Sequence, residues 1–241
     1  MVALYLALIG LPVGLLLDAL IDRLAVPPDD EDGEEEVEGA PATPRSFLQA
    51  ERGSLVIETE SAARTWLRRA LVVAATCGLF AAAALRYDEP GHIVIVAAYV
   101  SVLLVCAGTD LLAYRVPNVI TYPAMLGALA VGATVSGAGI KEVLAGGGLG
   151  AAVLLVPSLL TGGVGMGMGD VKLAAFAGFA LGLEHLVPAM LFMALLGGAV
   201  AIVLLATGLR KRGQPIPYAP FISAGGIAAL LWQGSAFLDL A

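Results

Sequence analysis

Charged residues and cysteines are scarce in this sequence. Asp, Glu, Lys and Arg make up 14% of the 241 residues, whereas 59% are hydrophobic and the mean hydropathy is +0.90. Such a composition excludes a water-soluble globular domain. The two cysteines, Cys77 and Cys106, form no Cys-x-x-Cys pair, which excludes a thiolate zinc site or a disulfide framework. We expect both cysteines to be buried packing residues, and we predict neither a metal site nor a cofactor.

Long stretches without any charged residue predict membrane-spanning helices, since a helix needs about 20 mostly apolar residues to cross the hydrocarbon core. The stretches are Val2–Leu17, Ala70–Leu85, Gly91–Thr109, Val116–Ile140, Val143–Gly169, Leu173–Leu183, His185–Leu209 and Gly213–Leu238. They predict an all-α, polytopic integral membrane protein with about eight transmembrane helices in the lipid bilayer. The short connections leave no room for a soluble catalytic domain, so any chemistry must use groups in the bundle, at helix ends or on one large loop.

The distribution of basic residues predicts the orientation in the membrane. With the N-terminus outside, the inner loops carry eleven Lys and Arg residues and the outer loops carry only Arg86 and Lys141. The sixth stretch, Leu173–Leu183, is too short to cross unless it borrows Met168–Lys172 at its inner end. We therefore expect a multi-pass protein of the plasma (inner) membrane, with polar side chains entering the bilayer at the cytoplasmic face.

The polar segment 22–69 predicts one large cytoplasmic loop between a first transmembrane helix, 1–21, and a seven-helix core, 70–241. Asp29–Glu38 places eight carboxylates in ten residues, and without them the net charge of −7 becomes +1. The overall acidity therefore says nothing about a nucleic-acid partner, and we expect none. Two interpretations remain open, a solvated linker and an electrostatic lure for a basic peptide.

Two short elements are predicted in the second half of this loop. Ser54–Thr59 has the pattern of a strand, and Ser61–Arg69 that of a juxtamembrane helix with Trp66 at the membrane interface.

Ionisable residues in or beside the spans are functional candidates, because they are costly to place in a membrane. Asp110 ends the third predicted span and Asp170 begins the sixth, both on the cytoplasmic side. Two neighbouring carboxylates do not both ionise easily, so one can take a proton from water while the other donates a proton to a carbonyl group. This pair could hydrolyse a peptide without a metal. The alternative is that each aspartate only caps a helix or pairs with an arginine.

The residues around the two aspartates favour the catalytic interpretation. In the glycine-rich run 162–170, Gly169 leaves no side chain beside Asp170, so a substrate strand could approach closely. A phosphate-binding loop is a weak alternative, because no Lys-Ser or Lys-Thr follows the run. After Asp110, Pro117 breaks the chain before the fourth span, and Asn118 is placed to cap that helix.

At these motifs the sequence resembles the type IV prepilin peptidases, which are Gly-x-Gly-Asp aspartyl membrane proteases. Gly167–Leu173 is similar to their second aspartate motif, and Asp110 with Pro117 and Asn118 is similar to the first. Two further segments, Gly14–Leu24 and Ile216–Phe221, look like the amino-terminal signature and the motif that opens the last helix.

The resemblance implies an eight-helix bundle in which Asp110 and Asp170 cut the basic leader from prepilin or pseudopilin precursors after a glycine. The same motifs imply that Gly167, Gly169, Lys172, Pro117 and Asn118 contact the substrate. For Lys172, a role as a snorkelling membrane anchor is an equal alternative, because residues i and i+2 do not face each other on a helix.

Two departures from the family bear on N-methylation of the mature pilin, a second activity of many members. The loop has the acidic run in place of paired Cys-x-x-Cys motifs, and the signature has Asp18 in place of asparagine. Both argue against carrying methylation over to this chain. An archaeal-type preflagellin peptidase is a less fitting relative, because the amino-terminal signature and the large first loop are present.

Two other function classes remain open. Paired membrane aspartates also serve proton- or cation-coupled transporters, although such sites lie near the midplane and often between repeats, and no internal repeat is visible here. A nonenzymatic assembly protein would tolerate asparagine at both positions. Among the smaller features, His92 and His185 fall at predicted outer ends, and Gly146–Gly150 and Gly197–Gly198 are expected to allow close helix packing.

Overall fold

The computed structural model describes residues 2–25, 62–134, 139–160, 167–208 and 216–232, and every regular element in them is an α-helix. In chain order these are α1 Val2–Ala25, α2 Ala62–Arg86, α3 Pro90–Ala113, α4 Asn118–Thr134, α5 Ile140–Leu160, α6 Met168–Ala206 and α7 Ala219–Trp232. Five of them, all except α4 and α7, are long and apolar enough to cross a membrane. The all-α membrane fold is therefore confirmed, whereas the described helices number seven and not eight.

The difference in number arises in α6, which contains both the sixth and the seventh predicted span. This helix begins at Met168, where the short sixth span was expected to borrow residues, and it is interrupted at Gly182, whose φ of 73° and ψ of 175° are not helical. A straight helix would hold Ala177 and Met193 about 24 Å apart, at 1.5 Å per residue. Both instead line one small cavity against α7. The chain thus folds back at Gly182, and the two halves of α6 pack side by side.

Small residues allow α5 to pack backbone to backbone on the first half of α6. A Cβ atom at Gly146 would lie 2.5 Å from the carbonyl oxygen of Gly178, and one at Gly150 would lie 2.3 Å from that of Ala174. No residue other than glycine fits these two positions without a shift of a helix. The expectation of close packing is confirmed for Gly146 and Gly150, whereas Gly198 has no atom within 4 Å of a Cβ position.

An ion-pair cluster joins α1 to α2. Asp18 is fully buried, and its two oxygens accept hydrogen bonds from Arg68 Nε at 3.2 Å and Arg69 Nε at 2.9 Å. Arg68 Nη2 also lies 2.6 Å from Asp22 Oδ1. Beside this cluster Ile21 is completely buried, and a Cβ at Gly108 of α3 would lie 2.5 Å from its Cδ1 atom. The first helix thus packs against α3 two residues before Asp110.

The last helix, α7, runs along α3 and is tied to it and to the α2–α3 connection. Ser223 Oγ donates to the carbonyl oxygen of Leu103 at 2.8 Å. At the other end of α7, the Tyr87 hydroxyl donates to the carbonyl oxygen of Leu230. Burial raises the pKa of Tyr87 to about 12, despite the opposing charge of Arg86, so this hydroxyl remains a donor.

Other expectations concern the segment between the first two helices. The helix expected at Ser61–Arg69 is, from Ala62 onward, the first part of α2, and Trp66 on it is 66% exposed. The acidic run Asp29–Glu38 and the strand Ser54–Thr59 lie outside the described residues. The expected burial is confirmed for Cys106, whereas Cys77 is only half-buried, with its Cα 2.7 Å from a Cβ position at Gly10.

Candidate active site

Asp110 lies in the last turn of α3 and is 5% exposed. Its Oδ2 atom accepts a hydrogen bond from the backbone N–H of Ala219, the first residue of α7, at 3.0 Å. Its carbonyl oxygen accepts from the N–H of Tyr114, a residue in the left-handed conformation with φ of 51° that ends the helix. The carboxylate is therefore held at a helix end by a residue that is distant in sequence.

Asp170 is the third residue of α6 and is 8% exposed. Its Oδ2 atom accepts a hydrogen bond from the backbone N–H of Gly167 at 3.2 Å, which is the usual reach of an acidic side chain back to the start of its own helix. Its Oδ1 atom is buried and has no hydrogen-bond partner among the described residues. A buried polar atom without a hydrogen bond lowers the stability of the fold unless a water molecule or a substrate group donates to it.

The two aspartates line the same cavity, which has a volume of about 250 Å³. The cavity forms where α3 ends and where α4 and α6 begin. Its other lining residues are Tyr114, Arg115, Val116, Asn118, Gly167, Met168, Gly169 and Lys172. The fold thus brings to one cavity two carboxylates that lie 60 positions apart in the sequence.

The glycine beside Asp170 is needed for packing of the protein itself. A Cβ atom at Gly169 would lie 2.9 Å from Cβ of Val116. The space that was expected to admit a substrate strand is therefore occupied by Val116 at this point. At Gly167 the nearest atom to a Cβ position is Asp170 Oδ2 at 3.7 Å, an ordinary contact.

Lys172 and Asn118 connect the start of α6 to the start of α4. Lys172 Nζ donates to Asn118 Oδ1 at 2.9 Å and lies 4.8 Å from the ring centroid of Tyr122. The predicted capping role of Asn118 is wrong, because Asn118 is the first residue of α4 and its side chain binds Lys172. The N–H groups of Ile120 and Thr121, in the first turn of α4, donate to the carbonyl of Pro117.

Most, but not all, of the predicted substrate-binding residues line the cavity. Gly167, Gly169, Lys172 and Asn118 line the cavity with the aspartates, whereas Pro117, which directly precedes α4, does not. Lys172 lines it even though it is two residues from Asp170, because the cavity extends along the helix.

The remaining polar residues of the spans lie apart from this cavity. His92 is at the opposite end of α3, near Glu89, and His185 follows the interruption at Gly182. In the part of the chain that the structure describes, no three His, Cys, Asp or Glu residues come together as metal ligands.

Sequence reasoning missed several lining residues. Tyr114, Arg115 and Val116 stand between Asp110 and Pro117, so their position inside the first motif could have indicated them. No comparable indication of the Ala219 N–H group exists in the sequence, because every residue except proline has a backbone N–H.

This geometry suits acid–base catalysis on a peptide bond. Each carboxylate has one oxygen fixed by a backbone N–H group, so a proton carried by Asp170 resides on Oδ1. That atom is buried, unpaired among the described residues, and belongs to a residue that lines the cavity. One carboxyl group can then activate water while the other donates a proton.

Comparison with known proteins gives the same family as the motifs. Residues 97–202 match the type IV leader peptidase family. A prepilin leader peptidase/N-methyltransferase of Bacillus subtilis is 35% identical over 161 residues, which are 66% of this chain and 64% of the relative. A protein of the same name from Burkholderia pseudomallei is 32% identical over 165 residues, which are 66% of this chain and 53% of the relative.

A shorter match, from Aeromonas hydrophila and with the same name, is 40% identical over 77 residues, 32% of this chain and 27% of the relative. Each of these matches covers less than two thirds of the relative's own length. No solved structure matches the chain. The resemblance seen in the motifs is confirmed, and nothing in these comparisons supports a transporter.

Proposed function

We propose that this chain, whose residues 97–202 match the type IV leader peptidase family, is a membrane aspartyl endopeptidase that removes the leader peptide from prepilin-like precursors. The observation that carries the proposal is the shared cavity of Asp110 and Asp170. Both side chains are nearly buried and each has one oxygen held by a backbone N–H group. Such preorganised carboxylates are suited to acid–base catalysis and not only to helix capping.

In the proposed mechanism one aspartate is ionised and takes a proton from the attacking water. The other is protonated and donates to the carbonyl oxygen of the scissile bond, and the two exchange roles as the amine leaves. Lys172 and Asn118 contact the substrate backbone at the edge of the cavity, next to Gly167 and Gly169. No metal ion or cofactor takes part.

The proposed topology has eight spans, with the two halves of α6 counted separately. The fold-back at Gly182 supports this count, because a helix of 39 residues is otherwise far longer than the ~20 residues that cross a membrane. The N-terminus lies outside and the aspartates lie at the cytoplasmic face of the inner membrane, as the eleven-to-two distribution of Lys and Arg indicates. The divisions 1–21, 22–69 and 70–241 describe the first span, the cytoplasmic loop and the peptidase core.

The proposed substrates are prepilin or pseudopilin precursors, which the printed names of the relatives indicate for those proteins. We limit the proposal to cleavage. The names of the relatives also include N-methyltransferase, yet Asp18 replaces the asparagine of the signature and no Cys-x-x-Cys pair occurs in the sequence.

The test is cleavage of a prepilin precursor by the purified chain in proteoliposomes, followed by mass spectrometry of both products. We expect Asp110→Asn and Asp170→Asn each to lower kcat by at least ~1000-fold, because each removes one half of the acid–base pair. Both variants should insert and unfold thermally like the wild type, since asparagine keeps the size and the acceptor oxygen.

Asp88→Asn, at an exposed aspartate outside the cavity, is the matched control for loss of one carboxylate charge, and it should cleave at the wild-type rate. Near-wild-type turnover by either aspartate variant would contradict the aspartyl mechanism. Inhibition by a chelator would show that a metal site takes part.

A further inference from the structure

The start of α7 presents one backbone donor to Asp110. Tyr218 precedes the helix, and its carbonyl oxygen accepts the N–H groups of Phe221 at 3.0 Å and Ile222 at 3.2 Å. Pro220 has no N–H group. Of the residues that open α7, Ala219 therefore keeps a donor that the helix itself does not use, and this donor reaches Asp110 Oδ2 at 3.0 Å.

Contacts along the whole of α7 fix the position of this N–H group. Ala219 is completely buried. One turn later Ser223 binds the carbonyl of Leu103 on α3, and near the end of the helix Tyr87 binds the carbonyl of Leu230. A Cβ at Gly226 would lie 3.2 Å from Leu103, so the two helices are in close contact there as well. The N–H group cannot move relative to Asp110 without disturbing these contacts.

The buried carboxylate of Asp110 requires hydrogen-bond donors such as this N–H group. Asp110 is 5% exposed, and a carboxyl group removed from water needs hydrogen bonds to replace its hydration. A donor from the backbone of a packed helix orients the group more rigidly than a side chain does, because it has no rotamers to lose.

We propose that the backbone N–H of Ala219 is a positioning group for Asp110, and that Pro220, which lacks an N–H group, removes the next donor of this helix end. The inference rests on the proposed function, since it assigns a role in the peptidase reaction. It extends that function to the 216–221 segment, which contributes through its backbone and not through its side chains.

The direct test removes this hydrogen and little else. An ester in place of the amide between Tyr218 and Ala219, introduced with lactic acid at position 219, replaces the N–H group by oxygen. We expect kcat for a prepilin precursor to fall about 10- to 100-fold with KM unchanged, because the substrate still binds while the reacting carboxylate is less well oriented.

The matched control is an ester between Pro220 and Phe221. It removes the N–H group that Phe221 donates to Tyr218, a bond of the same helix end that does not touch Asp110. We expect wild-type kcat for this control. Thermal unfolding of both esters, measured on the same preparations, checks that each retains the fold.

The outcomes separate the two proposals. Equal effects of both esters, or a wild-type kcat for the ester at position 219, would overturn the positioning role while leaving the peptidase function in place. Cleavage by Asp110→Asn at the wild-type rate would overturn the peptidase function, and the positioning role with it. An increase in KM without a change in kcat would show that Ala219 affects substrate binding and would also overturn the inference.

Discussion

The substitution Gly150→Ala, which adds one methyl group, tests whether helix packing sets the position of Asp170. A Cβ at this position would lie 2.3 Å from the carbonyl oxygen of Ala174, whereas ordinary contacts begin at 3.4 Å. To relieve the overlap, α5 and α6 must separate locally by about 1 Å. Ala174 lies one helical turn after Asp170 in α6, so the shift is transmitted directly to the carboxylate.

We expect Gly150→Ala to lower kcat by about 100-fold, because a misplacement of about 1 Å at a reacting group can cost that much. The overpacking should also lower the free energy of unfolding by about 1–3 kcal/mol. Gly148→Ala is the matched control on the same helix, since nothing lies within 4 Å of its Cβ position. Alanine is the better helix former, so this control should be neutral or slightly stabilising.

The assay compares initial rates of prepilin cleavage in proteoliposomes over a range of substrate concentrations, with thermal unfolding measured on the same preparations. Loss of kcat in Gly150→Ala alone would support transmission through the α5–α6 contact. A kcat within twofold of the wild type for Gly150→Ala would refute it, because the overlap would then be absorbed without moving Asp170.

Two further predictions concern the helix bundle around the site. Asp18→Leu leaves two arginines without their buried partner and should lower Tm by about 5 °C, a value reduced for the partial exposure of the arginines. Asp22→Asn is the control and should change Tm little, because the side chain of Asp22 is 43% exposed. Equal shifts in Tm would contradict a role for burial. Single cysteines in a cysteine-free chain should be labelled from outside intact cells at Gly91 and be shielded at Gly213, and the reverse pattern would place both aspartates on the outer face.

The aspartates could be found from the sequence because charge is so rare in the spans. Asp110 and Asp170 stand at the ends of apolar stretches, and their motifs are local enough to be recognised. The helix starts at Asn118 and Met168 follow from a proline and from the length that a span requires. These features depend on neighbouring residues, which a linear sequence displays directly.

What the sequence did not reveal depends on tertiary contacts. The predicted break between the sixth and seventh spans was placed at Glu184, on charge, whereas the chain turns at Gly182, where only glycine readily adopts a φ of 73°. The contact of Gly169 with Val116 and the bond from Ala219 to Asp110 join separate segments. No periodicity or motif along one segment encodes such pairs.

The arrangement of helix ends explains how two carboxylates can be kept at the edge of a membrane. The N-termini of α4, α6 and α7 all begin at or beside the cavity, and each carries a partial positive charge that replaces lost hydration around Asp110 and Asp170. Arg115 and Lys172 line the same cavity, so with one aspartate protonated its side chains carry a net charge of +1. A cavity with this charge does not attract a basic leader peptide, because its two cations outnumber its one carboxylate. If the proposed function holds, binding of a basic leader must therefore draw on charges outside this cavity.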